Sequence, residues 1–285
     1  MKTYSQRTPP KSRSLLLFFL LIFGISSIIW SLGAVVERLM PELPVNIPFS
    51  SLMFVSPIIA ACYCSYRENG SPGVKKLLKR TFDYEKVEGK IWYLAALFLM
   101  PAITGIQYGI LRLMHRPIPG TQISFSTLLV VPLIFYIAAI GEEVGWQGYA
   151  MDRLQTKWNA LSASILLGIV WAVWHIIPMI QMGQTPVWIM WQCINIAVTR
   201  ILMVWIYNNA GKSVFLAVLY HALYNVCTML LPGYDPVIVT LTLILLAVAI
   251  TILWGPKTLA DYKHPPSRQG ANPGLTLLQV GRKEK

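Results

Sequence analysis

Eight long apolar runs, separated by short basic loops, limit this chain to very few folds. They read Leu15–Val36, Asn46–Tyr66, Ile91–Met114, Ile123–Met151, Leu161–Ile180, Pro186–Tyr207, Ser213–Leu231 and Val237–Trp254. Crossing the hydrocarbon core of a bilayer takes about 17–25 residues of helix, and each run supplies that. Only 13% of the chain is charged, against about 25% in soluble domains. The expected fold is therefore all-α, an integral membrane bundle of eight spans over residues 15–254. A cytoplasmic tail precedes it at 1–14. A second polar tail at 255–285, rich in Pro and Gly, is expected to be disordered. The first run has 22 residues, too long for the apolar core of a signal peptide, and reads as a retained span.

The net charge of +12 does not point to nucleic acid, because the basic residues lie between the runs. With eight spans, the segments sharing a side with the termini hold 20 of the Lys and Arg, and the opposite side holds 3. The positive-inside rule then puts both termini in the cytoplasm, and the partner on every side is the lipid bilayer. Lys75, Lys76, Lys79 and Arg80 fit this orienting role and contact with anionic lipid. Cys62, Cys64, Cys193 and Cys227 all lie inside apolar runs, with no zinc-knuckle spacing, and read as packing residues.

Against this background a few polar residues stand out. Glu142 and Glu143 close the fourth run, although an acid inside a membrane helix costs roughly 2.5–3.5 kcal/mol on insertion scales. His175 lies in the fifth run, Arg200 in the sixth, and His221 with Asn225 in the seventh. Trp171 and His175 are four apart, as are His221 and Asn225, so each pair shares a helix face. Glu142 and Glu143 point about 100° apart, so one can face a cavity while the other meets a neighbouring helix. The depths of Glu142 and His221 agree. His175 falls too deep if its helix starts at Leu161. Two chemistries suit this inventory. Glu142, His175 and His221 could hold zinc with water in a fourth position. Alternatively a carboxylate activates water without metal and a polar donor stabilises the oxyanion. Spacing does not choose between them.

These residues resemble the motifs of the CPBP family, the type II CAAX prenyl endopeptidases and their bacterial relatives. The family pattern is Glu-Glu-x-x-x-Arg, Phe-x-x-x-His and His-x-x-x-Asn. Here it reads Glu142-Glu143-x-x-x-Gln147, Trp171-x-x-x-His175 and His221-x-x-x-Asn225, within about residues 125–231. The resemblance implies an intramembrane endopeptidase, in a bacterial plasma membrane, acting on a hydrophobic or lipidated peptide from the cytosolic side. It further implies that Glu142 activates water, that His175 and His221 are metal ligands or oxyanion donors, and that Asn225 polarises the carbonyl. Trp171 replaces Phe and keeps an aromatic wall. Gln147 replaces an Arg, so Glu143 lacks its expected cation. Arg153 and Arg200 are the candidates to supply it, and Arg200 is the expectation. Seven residues before Tyr207, Arg200 could instead extend its head to the interface. Gln147 also suits a second reading, a non-catalytic immunity or scaffold protein. A transporter is a third, counted against by the lack of an internal repeat and of paired broken helices.

Overall fold

The structure, a computed structural model, describes residues 12–39, 49–118, 120 and 123–260. The expected tails at 1–11 and 261–285 lie outside the described residues. Among those described, all regular structure is helical: α1 (Ser12–Leu39), α2 (Val55–Lys79), α3 (Ile91–Leu113), α4 (Phe125–Gly145), the single turn α5 (Asp152–Leu154), α6 (Ala160–Gln181), α7 (Pro186–Asn209), α8 (Val214–Asn225) and α9 (Pro236–Trp254). Seven helices are long and apolar enough to cross a membrane. The remaining run of the eight expected, Ser213–Leu231, forms the shorter apolar helix Val214–Leu230.

Side chains that take up the first free N–H groups mark where the later helices begin. Ser124 accepts from Thr127 N, Asn159 from Ser162 N, Thr185 from Trp188 N and Ser213 from Leu216 N. Asp235 accepts from both Val237 N and Ile238 N. Pro186 and Pro236 follow their caps at the first helical position, where a missing N–H costs nothing. In contrast to the expected loop at 67–90, α2 continues to Lys79. Gly70, at φ 61°, turns the helix axis, a conformation open to glycine because it lacks Cβ. The second limb carries Lys75, Lys76 and Lys79, all exposed. Residues 255–260 also differ from the expected tail. Pro256 O and Lys257 O accept from Leu161 N and Ala160 N at the start of α6. Asn208 Nδ2 donates to Thr258 O at 2.7 Å, and Leu259 is fully buried.

Glycine faces set the closest helix contacts, as is common where small residues let membrane helices approach. A Cβ on Gly141 would lie 2.7 Å from Phe54 O, and one on Gly145 would lie 2.6 Å from Pro57 O. Gly168 meets Ala197 O of α7 in the same way, at 2.7 Å. Gly141 and Gly145 therefore press one face of α4 onto α2, and the adjacent carboxylates are directed to other helices. Gly145→Ala is expected to destabilise the bundle by about 1–3 kcal/mol, the usual cost of overpacking. Thermal unfolding in detergent, followed by tryptophan fluorescence, reads this as a lowered midpoint. A third tie joins three helices: Trp174 Nε1 of α6 donates to Ser26 Oγ of α1 at 2.7 Å, and Ser26 Oγ meets Ser56 Oγ of α2 at 2.7 Å.

Candidate active site

Glu143 is fully buried, and its carboxylate takes three hydrogen bonds from two residues. Arg200 Nη1 donates to its Oε2 at 2.7 Å, and Nη2 to its Oε1 at 3.2 Å. His221 Nδ1 lies 2.9 Å from Oε1. Arg200 is itself fully buried, so its head does not reach the interface. A two-pronged guanidinium–carboxylate pair is the strong form of this interaction. Gln147 Oε1 accepts from the same Nη1 at 3.4 Å. Position 147 thus touches the guanidinium without replacing it. Arg153, the other candidate, is bound to Glu68 at 2.5 Å and to Tyr149 O at 2.7 Å.

Glu142 is kept out of this ion pair. Its Oε2 accepts from Trp171 Nε1 at 2.8 Å, and 5% of the residue is exposed. The Trp171 ring is the hub of the site. The Arg200 guanidinium carbon stands 4.1 Å from its centroid, within cation–π range. The His221 and His175 rings stand at 5.1 and 5.4 Å, nearly perpendicular to it. Trp174 closes the far side of His175 at 4.8 Å. The depth mismatch has a simple resolution. The α6 helix starts at Ala160, and the residue that meets Glu142 is Trp171, with His175 one turn beyond. Asn225 is half-buried, one turn past His221 on α8.

The bonds behind the imidazoles fix their protons. His175 Nδ1 lies 2.9 Å from Trp171 O. A carbonyl oxygen only accepts, so Nδ1 carries the hydrogen. Glu143, held by Arg200, likewise accepts from His221 Nδ1. Each neutral ring therefore offers an Nε2 lone pair on its free side, and donates there only when doubly protonated. Histidines backed in this way are common as metal ligands. Yet among the described residues no three His, Cys, Asp or Glu side chains stand together as a ligand set.

Residues 124–227 match the family model for type II CAAX prenyl endopeptidases of the Rce1-like kind, a stretch that includes all three motifs. The matched region runs from the cap of α4 past Asn225 to Cys227, so it coincides with the assembled polar site. A curated relative, CAAX prenyl protease 2 of Methanococcus maripaludis, is 28% identical over 261 residues, spanning 85% of this chain and 94% of the relative. Its apolar helices of spanning length make the molecule a multi-pass membrane protein.

Sequence reasoning missed the residues that anchor this site. Directly after Gly145 the helix widens into a π-helical stretch, Trp146–Met151, and two polar clusters grip it. Arg80 donates to Gly148 O at 2.6 Å and to Asp152 at 3.0 Å, and also bonds Tyr207. On the other flank Tyr149 OH donates to Glu68 at 2.7 Å, beside Arg153. Asp83 accepts from Ser213 Oγ at 2.9 Å and from Phe215 N at 3.2 Å, securing the start of the helix that carries His221. The available signal was the charge of Glu68, Arg80, Asp83 and Asp152 at the ends of apolar runs.

Proposed function

We propose that this chain is an intramembrane endopeptidase that hydrolyses a peptide bond of a hydrophobic or prenylated protein near the cytoplasmic membrane face. One observation carries the reading. Of two adjacent carboxylates, Glu143 is neutralised by Arg200 while Glu142 is held apart by a neutral donor, beside two imidazoles. A carboxylate without a counter-cation, in a site where little water competes, is suited to accept a proton from water.

The steps follow from the chain's own groups. Glu142 takes a proton from a water molecule as the oxygen attacks the scissile carbonyl carbon. The carbonyl π bond opens to an oxyanion. Asn225, on the face of His221, donates its amide N–H to that oxygen. Glu143 behind His221 holds that ring in the tautomer whose Nε2 carries the lone pair. Collapse of the tetrahedral intermediate breaks the C–N bond, and Glu142 returns its proton to the leaving amine. His175, whose Nδ1–H is bound to Trp171 O, presents its Nε2 lone pair to orient the attacking water. These steps draw on side chains alone.

The non-catalytic alternative drew on Gln147. It loses that support, because Arg200 brings to Glu143 the cation that residue 147 lacks. The deciding experiment is cleavage of a prenylated and an unprenylated C-terminal peptide by the purified chain in nanodiscs, alongside Glu142→Gln. Product formation that survives an excess of a zinc chelator is the expected result. Loss with chelator, restored by added zinc, would return Glu142, His175 and His221 to the role of ligands.

A further inference from the structure

We propose that Trp171 is a positioning residue for the catalytic base, acting through its indole N–H; the role rests on Glu142 being that base. The family pattern has Phe at this place, and a phenyl ring cannot donate. Here Nε1 holds Glu142 Oε2 at 2.8 Å, which leaves Oε1 and its lone pairs to take the water. A carboxylate on a two-carbon stem has several rotamers. Inside the bundle, a single fixed donor selects one of them.

Trp171 is well placed to impose that choice because it is itself locked. It is 1% exposed. Its face lies on the Arg200 guanidinium, the two imidazoles pack close to its ring, and its carbonyl takes the His175 Nδ1 proton. One residue thus sets the base, both imidazoles and the buried arginine relative to one another. A rigid supporting group of this kind fixes reacting atoms within the narrow range catalysis needs. The indole N–H contributes only to Glu142. The aromatic face serves the other three groups, and a phenyl ring would largely keep it.

This separation makes the proposal testable. In Trp171→Phe the stack on Arg200 remains and the donor is lost. Turnover of the peptide in nanodiscs should fall about tenfold or more, as for loss of one hydrogen bond to a charged group, with KM and the thermal midpoint unchanged. A parallel Glu142→Gln sample separates the two ideas. If Glu142→Gln is inactive and Trp171→Phe keeps full kcat, the positioning role fails while the peptidase reading stands. If Glu142→Gln stays active, the peptidase reading fails, and with it this role. A second readout is independent of activity and of whether Trp171→Phe folds. The 15N-indole resonance of Trp171, labelled at that site alone, should shift when Glu142 becomes Gln, because the charged acceptor is gone. An unmoved resonance would overturn the bond.

Discussion

Glu142→Gln should lower kcat/KM by about 10²–10⁴-fold, the range spanned by loss of a general base, and leave the fold intact. Glutamine keeps the shape of the side chain, and its amide oxygen can still accept from Trp171 Nε1, now 2.8 Å from Oε2. What disappears is the ability to take a proton. The neighbouring substitution Glu143→Gln should behave in the opposite way. It would strand Arg200, fully buried, without its carboxylate, and the chain should fail as a folded protein before it fails as a catalyst. Cleavage rate and thermal midpoint, measured on the same preparations, read the contrast. A Glu142→Gln protein with undiminished cleavage would end the peptidase reading.

The second large effect concerns the cation itself. Arg200→Gln should cost about 3–5 kcal/mol, the usual penalty for leaving one member of a buried ion pair alone. It should also free the ring of His221, whose Nδ1 shares Glu143 Oε1 with the guanidinium. Gln147→Arg introduced into that background should recover part of both stability and activity, since position 147 already touches the same guanidinium at 3.4 Å. In the wild-type background Gln147→Arg should be harmful, because it buries a second cation against one carboxylate. Unfolding midpoints and peptide cleavage across the four combinations form a double-mutant cycle. An additive cycle would show that Arg200 and residue 147 do not serve one carboxylate.

The broad outline of this architecture was legible because lipid permits so little. Apolar runs of spanning length mark the helices, and polar residues within them mark the site. Helical spacing placed Trp171 with His175 and His221 with Asn225 on common faces, and the gap at Gln147 called for a cation from another helix. Arg200 was the harder case. Its distance from Tyr207 suited either an interfacial or a buried head, and only the reach of its guanidinium to Glu143 of α4 distinguishes them. Other features have no one-dimensional signature. The donor role of Trp171 depends on which way an indole is turned. The contact of Gly145 with Pro57 depends on which helix lies next to α4. The order in residues 255–260 comes from free N–H groups on α6, far away in sequence.

The widened stretches have a consequence of their own. Trp146–Met151 starts after Gly145, within one turn of the acidic pair, and Val226–Leu230 directly follows Asn225. Such stretches are rare and often sit at functional sites. Each acts as a slack link between a reacting group and a fixed mooring. On the first, Arg80, Glu68 and Asp152 hold the chain, while the acids one turn earlier keep their own rotational setting. Removing one residue from such a link would tighten it towards an ordinary helix and swing one end against the other by about 100°. Either the moorings or the acids would then face the wrong way, so in these two short segments chain length matters more than side-chain identity.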